Sequence, residues 1–261
     1  MDRRGQVRRC GSAHSFGSAA GLNGNNQVIG FAATPNHGGY WLVTAAGAVM
    51  AYGDAHYWGS IPGSKIGPYG SQVEPRLSAP IVSITPTNDA RGYMLVAANG
   101  TVYYYGDARC VETSSCLGIG SHQITVADVI ANPAGPGGWT FSTHGSVYPF
   151  GGTSNYGQPG NQPPPFVAVA AAATADGHGY WVLTANGTVY SYGDARPATS
   201  GAAAVHVLPQ DTHAVAIIPE ADAAGYWIVT SSGAVLNENG APSLSGATQT
   251  GGAPVAAAGG W

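Results

Sequence analysis

The sequence predicts an all-β fold: a six-bladed β-propeller in which one blade is closed jointly by the two ends of the chain. Three observations carry this reading. A Gly-aromatic phrase returns six times, at Gly39-Tyr40-Trp41, Gly92-Tyr93-Met94, Gly137-Gly138-Trp139, Gly179-Tyr180-Trp181, Gly225-Tyr226-Trp227 and Gly259-Gly260-Trp261. Each of the first five is followed by a Gly-x-Val step, at Gly47, Gly100, Gly145, Gly187 and Gly233, and three of these lead into a Tyr-Gly-Asp-Ala corner at 52–55, 105–108 and 192–195. Units of about 40 to 50 residues built from short strand signals are the pattern of a propeller. Finally, Trp261 has no Gly-x-Val step behind it, while Gly5-Gln6-Val7 has no Gly-aromatic phrase before it. The two half-units complete each other, so residues 5–17 and 255–261 are expected to share one blade of a single domain spanning 1–261.

Within each unit, four strand candidates follow one another. The first is a small-apolar run such as Val28–Ala33, then comes the Gly-Tyr-Trp-Leu-Val run, then the Val-x-x-Tyr run, then a short segment such as Tyr57-Trp58-Gly59. Asn-Gly turns at Asn99-Gly100 and Asn186-Gly187 join neighbouring strands and are too tight to cross between blades. The crossing falls to the Gly/Pro-rich stretches 61–80, 118–123, 158–165, 201–212 and 246–254. Each blade therefore starts with the small-apolar run, and on this phase 255–261 supplies inner strands and 5–17 outer strands of the sixth blade. Such closure removes the open sheet edges that invite aggregation.

Composition limits the function classes. Of the 261 residues 44% are apolar and only 8% charged, with 40 Gly, 18 Pro, 14 Tyr and 6 Trp; this is the composition of a turn-rich folded domain. No apolar run is long enough for a membrane helix, and the first residues lack the apolar core of a signal peptide. The net charge is −4 although Arg3, Arg4, Arg8 and Arg9 supply four of nine basic residues. The rest of the chain offers no basic stripe for a phosphate backbone, which argues against nucleic acid as a partner. A monomer is expected.

There are three cysteines. Cys110 and Cys116 flank an insertion and are expected to close it with a disulfide; two free thiols are the alternative. Cys10 occupies the column of Tyr52, Tyr105, Phe150 and Tyr192, which predicts a buried, inert thiol. No second cysteine pair with ligand spacing is present, so no zinc, and no cofactor, is expected.

The succession Gly-Tyr-Trp-Leu-Val, Asn-Gly-x-Val, Tyr-Gly-Asp-Ala and Tyr-x-Gly-Ser resembles a repeat family of secreted and cell-envelope proteins of actinobacteria. The resemblance covers essentially the whole chain. It implies a β-propeller outside the cytoplasm, often joined to cell-wall hydrolase or adhesion modules, and it brings no catalytic residues. The third unit departs from the pattern with Phe150-Gly151-Gly152-Thr153, and the fifth with Glu238-Asn239-Gly240-Ala241. A weaker likeness, of Thr34 to Trp41 to the Asp-box of sialidase-like propellers, falls between the wrong strands and reads as turn chemistry.

Repeated residues are read as structural: the Trp and Tyr columns as packing between blades, and Asp54, Asp107 and Asp194 as corner holders. Residues that break the repeat are better ligand candidates, and they gather on the face of the inter-blade connections and second-to-third-strand turns. They are Lys65, Tyr69, Glu74 and Arg76, then His122, His144, Gln158, Asn161 and Gln162, then His206, Gln210, Asp211 and His213. The inner column Gly30, Ser83, Asp128, Ala168, Ala216 and Ala256 offers one carboxylate, too few for calcium. The expected function is a binding or adhesion module for carbohydrate or cell-envelope polymer, without catalysis. One alternative is a glycoside hydrolase or lyase using Glu74, Asp128 or Asp211. Another is a structural or protein-interaction scaffold.

Overall fold

The computed structural model describes residues 1–2, 4–8, 13–19, 27–61, 77–110, 117, 119, 123–160, 166–196, 203–220 and 225–244. The described residues form antiparallel β-structure with no helix, hence no helix long and apolar enough to cross a membrane. Five sheets follow in order. They are β1 (Val28–Ala33), β2 (Gly39–Thr44) and β3 (Val49–Gly53); β4 (Ile81–Pro86), β5 (Gly92–Ala97) and β6 (Val102–Gly106); and β7 (Val126–Ala131), β8 (Gly138–Ser142) and β9 (Val147–Phe150). The fourth has β10 (Ala168–Ala173), β11 (Gly179–Thr184), β12 (Thr188–Gly193) and β13 (Ala203–Val205). The fifth has β14 (Ala214–Pro219), β15 (Tyr226–Thr230) and β16 (Val235–Glu238). Each sheet is a meander, and the first strands pack side by side in the order β1, β4, β7, β10, β14. That is the propeller arrangement, with the small-apolar runs innermost.

One column of the inner strands, Gly30, Ser83, Ala170 and Ala216, is small where the sheets converge, whereas each middle strand is sandwiched between sheets and takes the large side chains. Trp41, Trp139 and Trp181 are fully buried. Each indole packs on the tyrosine that opens the next middle strand, with ring centroids 5.8 Å apart for Trp41–Tyr93, 5.3 Å for Trp139–Tyr180 and 5.8 Å for Trp181–Tyr226. Each indole N–H donates to the carbonyl fifteen residues on: Trp41 to His56 (2.8 Å), Trp139 to Ser154 (2.8 Å), Trp181 to Arg196 (2.5 Å) and Trp227 to Pro242 (2.7 Å). An apolar ring with one polar tip fills the seam and pins the outer segment in one stroke. The tyrosines reach back across the seam to a glycine carbonyl, Tyr93 to Gly59 (2.6 Å) and Tyr180 to Gly157.

A fourth strand was expected in every unit, but among the described residues only the fourth sheet has one, β13. In the first and third units the Tyr-x-Gly-Ser-like segment lies alongside without a ladder. Gly59 (φ 140°) and Gly157 (φ 127°) turn the chain, so that the Val49 and Val147 N–H groups bond side chains, Ser60 Oγ (2.9 Å) and Gln158 Oε1 (2.8 Å). These glycines are required for a second reason: a Cβ at Gly157 would sit 2.6 Å from the Tyr192 ring.

The N-terminal residues repeat this outer half. Val7 N–H donates to Ser18 Oγ (2.9 Å), Ala19 N–H to the Gly5 carbonyl (2.9 Å), and Tyr40 Oη to the Gly17 carbonyl (2.5 Å). The same bonds join Val49 to Ser60, Ile61 to Gly47, and Tyr93 to Gly59. Residues 5–8 and 13–19 thus stand against the first sheet as the outer half of the unit before it. Residues 255–261, expected to supply the inner half, lie outside the described residues, as do Cys10 and Ala256.

Candidate functional site

On the connection face, backbone bonds stitch each sheet to the next. Ala45 N–H donates to Gln27 O, and its carbonyl accepts from Ile81 N–H of the second sheet; Ala98, Thr143 and Ala185 repeat the pattern with Val126, Ala168 and Ala214. The turns between second and third strands are therefore anchored at both ends, and what they carry is rigidly displayed. His144 sits there exposed, its Nδ1 3.2 Å from Thr143 Oγ1. Asp211 and His213 share the exposed turn before β14, where Asp211 takes a left-handed conformation (φ 57°) that aspartate tolerates. His144 belongs to the third sheet and is not grouped with them.

Two other expected ligand residues have internal partners. Gln158 Oε1 is the acceptor for Val147 N–H, in the position of Ser18 and Ser60. His206 is drawn inward, its side chain 10% exposed, with Nε2 2.8 Å from the Tyr226 hydroxyl and Nδ1 3.1 Å from Glu238 Oε2. Glu238 stands in the column of Tyr52 and Tyr105, opposite Tyr226, so the fifth unit exchanges an aromatic pair for a Tyr-His-Glu chain. Burial, then the Glu238 charge, raises the Tyr226 pKa. Lys65, Tyr69, Glu74, Arg76, His122, Asn161 and Gln162 lie outside the described residues. Cys110 is disulfide-bonded, and Cys116 also lies outside them.

The axis holds a cavity of about 280 Å³ lined by the inner strands, with Asp128 in its wall. The register places Gly30, Ser83, Asp128, Ala170 and Ala216 in one column, opposite Val43, Val96, Phe141, Leu183 and Val229. Ala168, expected in that column, instead faces Thr184. Every first strand carries a bulge between its first and third residues, and in the Ala/Val run of β10 no distinctive side chain marks where it falls. Asp128 ties three sheets together: Oδ1 accepts from Val129 N–H (2.8 Å) and Ser83 Oγ (3.2 Å), and Oδ2 from Ala171 N–H (3.1 Å). Burial raises its pKa against the pull of these three bonds. Asp211 is not among the cavity-lining residues, so the cavity does not unite it with Asp128.

At the opposite face, the corner aspartates, expected to hold the corner after the third strand, reach across to the first hairpin. Asp54 accepts from Thr34 Oγ1 (3.2 Å) and Asn36 Nδ2 (2.6 Å), Asp107 from Thr87 Oγ1 (3.3 Å), and Asp194 from Thr174 Oγ1 (3.0 Å). In the fourth sheet Asp176 replaces the asparagine and His178 stands beside it, at 3.2 Å, so that Asp176, His178 and Asp194 offer three ligand atoms within 4.8 Å of one another. The Thr174 hydroxyl, then the His178 N–H, hold Asp176 down to about 2, while burial raises Asp194. The second sheet pairs Asp89 with Arg91 at the same place (3.9 Å). An aspartate in the asparagine position thus comes with a nitrogen-bearing side chain two residues on, His178 or Arg91, set against its carboxylate. Neither Asp176, whose sequence signal is that of a hairpin cap, nor His178 was expected as a ligand residue.

Taken together, the class is a β-propeller with rigidly displayed connections and an axial cavity. Searches for similar proteins found no matching family model and no matching curated protein. Among solved structures, the chain is similar to the C-terminal WD40 domain of Sif2 (TM-score 0.49, 11% identity, 80% of this chain, 54% of that one). It is also similar to YCF48 bound to D1 peptide (TM-score 0.47, 13% identity, 82% of this chain, 64% of that one). The chain thus spans less than two thirds of either.

Proposed function

We propose that this propeller is a binding scaffold that holds a macromolecular partner outside the cytoplasm. The observation that supports it is the set of stitched turns on the connection face: His144 is carried on one that is bonded at both ends, and His213, exposed beside Asp211 before β14, is held by two bonds to Ser231. Pre-organisation of this kind lowers the ordering cost of association. A protein partner is favoured by Val205 and Val207, 75% and 91% exposed at and just beyond the edge strand β13. A carbohydrate or cell-envelope polymer is the second reading. Trp41, Trp139, Trp181 and Trp227 are buried and offer sugars no stacking surface, but Tyr57 is 52% exposed beside the tilted His56–Trp58 ring pair, 4.2 Å apart. The disulfide at Cys110 supports an oxidising compartment.

The test is retention of the purified chain on parallel arrays of peptides and cell-wall polysaccharides, with assay of released reducing sugar in the same wells. Retention without release supports the scaffold and selects between the two partner classes. Release of sugar overturns the non-catalytic reading, and silence on both arrays overturns binding.

A further inference from the structure

The geometry points to the axial cavity as a binding site for one primary ammonium group carried on an alkyl stem, with Asp128 as its counter-ion. This inference is independent of what the connection face binds. In the inner column four members are Gly, Ser or Ala, and packing symmetry gives no reason for a carboxylate in the fifth. The cavity, at about 280 Å³, far exceeds the ~10–15 Å³ a single water requires. Among the described residues no Lys, Arg or His lines it, and none of them supplies the Asp128 charge with a side-chain counter-ion.

The polar side chains at this wall are acceptors. A carboxylate has about four acceptor directions, and donors take three of them: Val129 N–H and Ser83 Oγ at Oδ1, and Ala171 N–H at Oδ2. One direction remains, at Oδ2. Ser83 Oγ donates to Asp128 and, at 3.4 Å, to the Val129 carbonyl, and Thr85 Oγ1 donates to that same carbonyl (2.7 Å), so both hydroxyls keep acceptor lone pairs, and both residues line the cavity. An ammonium brings three donors and no acceptor, matching that corner of Oδ2 and two hydroxyl oxygens. The remaining wall includes Ile29, Phe31, Val169, Val215 and Ile217, an apolar surface suited to a methylene stem. A divalent ion is a poor fit, because calcium takes 6–8 oxygens and the side chains supply three.

The test uses the full chain at neutral pH and follows backbone amide resonances by NMR during titration with n-butylammonium, with n-butanol as the uncharged match and sodium chloride as the ionic match. Saturable shifts at Val129 and Ala171 with the amine alone are expected. Asp128→Asn should weaken them at least tenfold, and Ser83→Ala, which leaves the carboxylate in place, several-fold; thermal melts establish that each variant is folded. A lysine-containing peptide and its norleucine counterpart distinguish a partner's side chain from a free amine. Shifts with the lysine peptide name the former, and shifts with n-butylammonium alone name the latter. Absence of saturation with either amine, equal shifts with n-butanol or sodium, or unchanged amine affinity in folded Asp128→Asn overturns the assignment.

Discussion

Substituting Gly157 by alanine tests how the seams between blades are built. Gly157 has φ 127°, and a Cβ there would lie 2.6 Å from Tyr192 Cδ1 and 3.1 Å from Cε1. The glycine carbonyl also accepts the Tyr180 hydroxyl, so the strained segment has little room to withdraw. Backbone strain at such a φ costs about 1 kcal/mol or more, and forcing a methyl into a packed site costs about 1–3 kcal/mol, a total near 3 kcal/mol. At this chain length about 2 °C of melting temperature accompanies each kcal/mol, so Gly157→Ala should melt roughly 6 °C lower. Gly160→Ala is the matched control. Its φ is 82° and no atom of the described residues lies within 4 Å of its Cβ, so it should lose only the backbone part, roughly 2 °C. In a Tyr192→Ala background the Gly157→Ala cost should fall to the same backbone part. Differential scanning calorimetry of the four variants decides. If Gly157→Ala and Gly160→Ala melt within a degree of each other, the ring contact does not explain the glycine.

His206→Ala should destabilise by ~1–3 kcal/mol, because it strips the buried Tyr226 hydroxyl and Glu238 of a shared partner. Adding Tyr226→Phe should then cost much less than it does alone, as read by urea unfolding. Burial raises the Asp128 pKa, so folding favours its protonated form; that contribution is present in acid and is lost as pH rises through the folded-state value. Wild-type stability should therefore fall more steeply over that interval than that of Asp128→Asn, and parallel profiles would contradict the burial. Asp176 has the opposite sign: its contribution is present above the ordinary carboxylate range and is lost as pH falls toward about 2, so Asp176→Asn should flatten the acid limb of the stability curve. Deleting 254–261 should abolish cooperative melting if those residues complete the unit begun by 5–19, and an unchanged transition would refute that closure.

The order of strands and the innermost position of the small-apolar runs were legible in the sequence, because both follow from local chemistry. Turn residues such as Asn99-Gly100 join neighbours, and only long connections cross between sheets. The structural role of Trp41, Trp139 and Trp181 was legible for a related reason, since residues repeated in one column meet one repeated environment. Contacts between units are another matter. Gln158 and His206 break the repeat in sequence, yet a backbone N–H and a Tyr-Glu pair from other segments claim them, and their partners lie 11, 20 and 32 residues away along the chain. Register was hidden where side chains are uniform, as at Ala168 and Ala170, because a bulge shifts the column without changing composition. Asp128 was visible as an oddity, but only the convergence of three sheets gives its carboxylate three donors and an axial cavity. Local pattern determines which strands form and which face is apolar. Which unlike residues meet depends on how the sheets pack side by side around the axis, and that is decided by the tertiary structure alone.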